Sequence, residues 1–341
     1  MNLTISQIRE ITIGAVRIEK KENGICFFRF TKQQEELYKN RSSNFYMKTF
    51  ATSGIQIRFF TNSKTLFLRT EISSGSSRTY FAFEVFVNGA KIDTLDNFSD
   101  TDIPPNYSTL KLPHGEFSKK FNLGEGDKEV CIYLPWSVCA VVKELVLDDG
   151  SFVKPSKPSK KMLSFGDSIT QGYDALYPSK KYVSMLANLL DAEEYNKAIG
   201  GEVFFPELAA ARDDFEPDYI TVAYGTNDWS KCTEEEFMRN CKEFFHNLNN
   251  SYPNTKIFVI TPIWRKDMDE SRAFGKFKNV AEIIQNQAAV LDNVSVINGF
   301  EFIPQHENLF ADLRLHPNDS GFGYYFENLS KYIKEILQKS K

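Results

Sequence analysis

Four short loops hold the residues with the most chemistry to offer. Ser168 lies in Phe165-Gly166-Asp167-Ser168-Ile169-Thr170-Gln171-Gly172, just past a run of strand-forming residues. A hydroxyl placed there becomes a nucleophile when a base takes its proton. Backbone N–H groups at the head of a helix favour the negative charge that attack creates. Gly-Asp-Ser also writes an ordinary turn or helix cap. In Ala198-Ile199-Gly200-Gly201-Glu202 a glycine lets the backbone present an N–H with no side chain in the way, or simply makes a tight turn. In Tyr224-Gly225-Thr226-Asn227-Asp228-Trp229, Asn227 offers an amide to an oxyanion or closes an Asx turn. The last loop is Asp312-Leu313-Arg314-Leu315-His316-Pro317. His114 falls in the strand-rich half, His246 inside a helical stretch and His306 in a loop without a motif. His316 alone combines a late loop, a nearby carboxylate and a following proline that restrains the backbone.

These loops need elements to bring them together, and the two halves of the chain offer different ones. Residues 11–18, 24–30, 55–60, 65–71, 80–87, 130–134 and 140–147 are short, often alternating and rich in β-branched and aromatic side chains. Asn88-Gly89 marks a hairpin turn, and the 30 Phe and 15 Tyr suit such strands. The pattern predicts an all-β, jelly-roll-like sandwich over residues 1–153, with one helical stretch near 33–39. Residues 154–161, KPSKPSKK, read as a stiff, solvated linker. From 162 to 341 strands and helices alternate. Strands are expected at 162–165, 194–198, 219–224, 256–261 and 294–298, and helices near 182–190, 234–249, 272–291 and 321–338. Such alternation implies a five-stranded parallel sheet covered on both faces, with active residues in the loops after the carboxyl ends of the strands.

Composition excludes several classes. A chain of 341 residues exceeds one small core and points to two domains. The net charge of −4 gives no global field for nucleic acid or anionic membrane. No uninterrupted run of ~20 apolar residues suggests a membrane span. The opening MNLTISQIREITIG lacks the basic start and apolar stretch of a signal peptide. A soluble, cytoplasmic protein with no nucleic-acid or membrane partner is expected. Cys26, Cys131, Cys139, Cys232 and Cys241 form no CxxC pair and read as buried free thiols. Ligand-type residues do not cluster at zinc or calcium spacing, and no Walker loop or GxGxxG follows a strand, so neither a metal nor another cofactor is expected.

Each loop alone is ambiguous, but their order after successive strands resembles the SGNH hydrolases, the GDSL esterase and lipase superfamily. The resemblance rests on Gly166-Asp167-Ser168-Ile169, Gly200-Gly201, Gly225-Thr226-Asn227-Asp228 and His316-Pro317, and runs from about residue 160 to the carboxyl terminus. The first half resembles, less specifically, the amino-terminal sandwich of some carbohydrate esterases and acyltransferases of that superfamily. The resemblance implies a three-layer α/β/α, flavodoxin-like fold. It makes Ser168 the nucleophile and His316 its base, with the Ser168 N–H, the Gly201 N–H and the Asn227 amide as the oxyanion hole. Gly201 is preferred to Gly200 because it precedes an acidic residue, Glu202. One feature departs from the family. Its aspartate usually stands three residues before the histidine, whereas Asp312 stands four before His316. Either Asp312 still orients the imidazole, or a Ser–His dyad operates.

The substrate this implies is a small-molecule or oligosaccharide ester carrying a short acyl group, acetyl first. Trp229 and Trp264 follow strand ends and either line the mouth for a sugar or pack beneath the loops. Arg265 is a candidate for orienting a polar substrate. Acyl transfer to another alcohol, or lipase or thioesterase activity, uses the same acyl-enzyme. A carbohydrate-binding protein with an inactive hydrolase half is the alternative outside enzymology, supported only by the shifted aspartate.

Overall fold

Alternation decides the first half. In Thr65–Ser74, Leu66, Leu68, Thr70 and Ile72 are buried while the residues between them reach the surface, so one face packs and the other is wetted. The computed structural model describes residues 1–339. Its first elements are α1 (Ile5–Ile11), β1 (Thr12–Ile13), β2 (Arg17–Lys21), β3 (Gly24–Phe28), α2 (Lys32–Arg41), α3 (Ser43–Lys48), β4 (Gln56–Thr61), β5 (Thr65–Ser74), β6 (Ala82–Val87), β7 (Ala90–Asp96), β8 (Gly115–Asn122), β9 (Lys128–Tyr133), β10 (Val138–Leu147) and β11 (Lys154–Pro155). One antiparallel sheet runs β1-β4-β9-β6-β7, with β11 also on β4; the other runs β2-β3-β10-β5-β8. Ile57, Phe59, Val85 and Ile132 of the first meet Leu66, Leu68, Val142 and Leu145 of the second in one core.

The second half follows as β12 (Lys160–Gly166), α4 (Ser168–Gln171), α5 (Tyr182–Leu189), β13 (Ala192–Asn196), α6 (Pro206–Ala210), β14 (Tyr219–Ala223), α7 (Thr226–Lys231), α8 (Glu234–Ser251), β15 (Lys256–Ile260), α9 (Lys278–Ala288), β16 (Val294–Ile297) and α10 (Asp319–Lys339). All pairs of the sheet β13-β12-β14-β15-β16 are parallel. Successive residues serve opposite layers: Met162 and Phe258 pack with α5 and α10, Leu163 and Ile257 with α8 and α9. The order reverses at β12 and β14, which is where open α/β sheets leave a crevice. No helix among the described residues is long and apolar enough to cross a membrane.

Some elements differ from expectation. Residues 154–161 are held at both ends: Lys154 and Pro155 pair with Phe60 and Phe59, and β12 begins at Lys160. The helix expected from 272 begins only at Lys278, because Gly275 at φ 97 turns the chain first. Strand β8 escaped the sequence reading because it is an edge strand with Glu116, Lys120 and Asn122 exposed, as edges that must not aggregate tend to be.

Candidate active site

Ser168 stands at the first position of α4, one residue after Asp167 caps that helix by accepting the Ile169 N–H at 2.9 Å. A Cβ at Gly166 would strike Thr170 and the Ala223 carbonyl, so only glycine lets β12 turn this tightly into α4. The His316 Nε2 lies 2.9 Å from the Ser168 Oγ, and its Nδ1 lies 2.7 Å from the Asp312 Oδ2. With the ring proton on Nδ1 facing the carboxylate, Nε2 is free to accept the serine proton.

The four-residue interval is absorbed by the loop itself. Leu313 takes the left-handed conformation, φ 55. That turn lets Asp312 Oδ1 accept the N–H groups of Arg314, Leu315 and His316 at 3.0, 2.7 and 3.0 Å while Oδ2 faces the imidazole. Burial opposes ionisation of Asp312. The His316 hydrogen bond and charge, with the N–H groups of Leu315 and His316, outweigh burial and hold the carboxyl well below the usual carboxylate range.

The candidate donors for an oxyanion sit in the loops after β12, β13 and β14, neighbours in the sheet. The Gly200 N–H is spent on the Gln171 Oε1 at 2.7 Å, and Gly200 is pressed against the Tyr173 hydroxyl. Gly201, at φ 86, keeps its N–H without an acceptor among the described residues. Asn227 donates one amide hydrogen to the Glu202 carbonyl at 3.0 Å, which leaves the other. Asp228 joins the second and third loops by accepting the N–H groups of Phe204 at 2.9 Å and Gly225 at 3.0 Å, and burial pushes its carboxyl up to about 7.

Around this site stand residues that local sequence did not single out, several of them reaching in from the first half. Asp174, buried and at φ 72, lies 3.6 Å from His316 Nδ1. Arg78 grips it with two bonds, 2.5 and 2.9 Å, and the Tyr80 hydroxyl adds a third at 2.5 Å. The Tyr173 ring lies beside the imidazole with centroids 5.6 Å apart. Buried Arg29 donates to the carbonyls of Asn196 and Ala198 at 2.8 and 2.9 Å, fixing the strand end that leads to Gly200. Lys48 donates to the Gly200 carbonyl at 2.6 Å.

The residues anticipated for substrate binding need correcting. Trp229 is fully buried, with its Nε1–H on the Gly275 carbonyl at 2.9 Å and its ring against Phe277, so it lines no mouth. Arg265 is buried too. It holds Asp267 at 2.5 and 2.8 Å and the Thr226 carbonyl at 2.8 Å. Since Asp267 also receives Arg314 at 2.8 Å, this network ties the head of α7 to the His316 loop. Trp264 is partly exposed and rests on Phe310 with centroids 5.4 Å apart.

Residues 164–323 match the GDSL-like lipase/acylhydrolase family. The protein is an ester hydrolase with a GDSL-like domain. No curated protein sequence matches this hydrolase. Solved structures do, over both halves. The salicylyl-acyltransferase SsfX3 from a tetracycline biosynthetic pathway superposes with a TM-score of 0.76 at 19% identity, covering 95% of the hydrolase and 94% of that chain. An acetyl xylan esterase from the rumen bacterium Butyrivibrio proteoclasticus gives 0.63 at 17% identity, over 99% of both chains. A family two carbohydrate esterase from Clostridium thermocellum, in complex with cellohexaose, gives 0.62 at 16%, over 96% of the hydrolase and 99% of that chain. At these identities the likeness establishes the fold.

Proposed function

We propose that this esterase removes short acyl groups, acetyl first, from a carbohydrate through an acyl-enzyme on Ser168. The observation that carries the reading is the unbroken chain from the Ser168 Oγ through both nitrogens of His316 to Asp312. The Ser168 oxygen attacks the ester carbonyl as its proton passes to Nε2. Negative charge moves to the carbonyl oxygen and meets the N–H groups of Ser168 and Gly201 and the free hydrogen of Asn227. The imidazolium returns the proton to the departing alcohol. Water then repeats the sequence on the acyl-enzyme and releases the acid. In this reading residues 162–341 are the catalytic unit, and the sandwich of residues 1–153 positions it. A carbohydrate alcohol is supported by the two esterase structures above, which match both halves.

The test is acetate release from a panel of acetylated mono- and oligosaccharides, with Ser168→Ala as the blank. Turnover of acetylated sugars that vanishes in the variant is expected. Equal release by both proteins would end the reading. Acyl transfer is the second reading, favoured by the whole-length likeness to the salicylyl-acyltransferase. Adding an alcohol acceptor to p-nitrophenyl acetate separates them, since a transferase yields a new ester where an esterase yields acetate.

A further inference from the structure

Two lysines from opposite halves of the chain converge beside Gly201. Lys48 ends α3, is buried, and spends one N–H on the Gly200 carbonyl at 2.6 Å. Lys231 ends α7, is exposed, and donates to the Gly201 carbonyl. A methyl group built on Gly201 would lie 3.3 Å from Lys231 Nζ, 3.9 Å from Lys48 Nζ and 3.8 Å from the Phe45 ring. Both ammonium groups therefore border one small volume, on the residue whose N–H is free for an oxyanion. Neither has a carboxylate partner among the described residues. The acids nearby are taken: Glu202 by Arg41 and Tyr38, Asp174 by Arg78 and Tyr80. Burial, with Lys231 beside it, brings Lys48 down to about 8. Two like charges held this close without a counterion repel each other, and each ammonium keeps donors beyond the one its carbonyl uses.

Building on the esterase reading, we propose that Lys48 and Lys231 form an anion subsite beside the oxyanion donors, and that the preferred ester carries a carboxylate within about one sugar ring of its reacting carbonyl. A carboxylate bridging the two ammonium groups accepts charge-assisted hydrogen bonds from both and removes their repulsion. An acidic sugar bearing an acetyl ester has this chemistry.

Two matched pairs of substrates test it. Acetyl esters of methyl glucoside and methyl glucuronide place the charge on the alcohol side. p-Nitrophenyl propionate and p-nitrophenyl hemisuccinate place it on the acyl side. The unmodified enzyme should favour the charged member of one pair by about ten-fold or more in kcat/KM, the size of a hydrogen bond between charged groups. The difference should lie mainly in KM, and the responding pair tells which side of the ester carries the anion. Lys231→Glu, at an exposed position, should reverse the preference, and Lys48→Met should flatten it. A ratio near one in the unmodified enzyme, or a ratio unmoved by Lys231→Glu, overturns the proposal. So does equal loss on charged and neutral esters, because that assigns the lysines to the oxyanion or to the loop. If Lys48→Met fails to fold, Lys231→Glu alone decides. Absence of turnover above Ser168→Ala on every ester would bring down the esterase reading itself, and the subsite with it.

Discussion

The two halves of the molecule contribute to the site in opposite ways. The parallel-sheet half supplies the candidate catalytic groups: Ser168, Gly201 and Asn227 from loops after β12, β13 and β14, and His316 from the loop before α10. The sandwich half supplies cations and a phenol that brace those loops: Arg29 on the carbonyls before Gly200, Lys48 on the Gly200 carbonyl, and Arg78 with Tyr80 on Asp174. The contrast teaches that a parallel sheet collects chemistry at its rim but leaves the backs of its loops unsupported. Buried carbonyls and a buried carboxylate there need partners. An adjoining sheet with long basic side chains provides them.

The sharpest way to break this division is Asp312→Asn. Asparagine keeps an Oδ1 for the three backbone N–H groups, so the loop holds, but its amide faces Nδ1 and enforces the wrong tautomer. Turnover should fall roughly a thousand- to ten-thousand-fold, as when other triads lose this charge. Near-normal kcat in Asp312→Asn, with none in His316→Ala, would instead make a dyad sufficient. Next in size is Asn227→Ala. Loss of one oxyanion donor should cut kcat about a hundred- to thousand-fold while KM moves little. If KM carried the change instead, Asn227 would be a binding residue.

Arg78→Met probes the other side of the comparison. It strips Asp174 of its counterion beside an imidazole that already faces Asp312. An unpaired buried carboxylate there disturbs the imidazole's pairing with Asp312, so kcat/KM should fall by about ten-fold at neutral pH. Unchanged kcat/KM would reduce the sandwich to a passive scaffold. The smallest effect concerns stability. Burial pushes the carboxyls of Asp228, Glu202 and Asp319 up to about 7, above their unfolded values near 4. Between those values the folded chain binds more protons than the unfolded one, so this stability is full below pH 4 and is lost as pH rises through 7. The melting temperature should decline by roughly a few degrees from pH 5 to pH 8. Asp228→Asn should flatten the slope more than any substitution in the sandwich core.

The Ser168 and Asn227 loops were legible because each directly follows an apolar strand, β12 or β14, whereas the Gly201 loop follows the polar β13 and His316 stands well past β16, so those two were read from their own residue types. The preference for Gly201 over Gly200 rested on Glu202 alone. The Gln171 side chain that occupies Gly200's N–H lies 29 residues away and was not legible. Asp174, Arg78, Arg29 and Lys48 escaped because an isolated charge carries no local signal when its partner is 96 to 169 residues distant. Trp229 and Arg265 were misplaced for a related reason. A position just past a strand end looks like a rim, yet whether the side chain faces the opening or the layer beneath depends on which helix covers it. Here the turn around Gly275 covers both.

The mirror-image twist at Leu313 bears on how relatives of this protein are recognised. Asp312 and His316 are kept facing each other by one oxygen gathering three successive amides, not by a fixed interval between them. A chain of this kind can therefore lengthen the stretch by one position and still bring the carboxylate to the imidazole. Searches that demand a rigid count between the two residues will discard such chains as degenerate, although one unusual backbone angle is enough to restore the geometry.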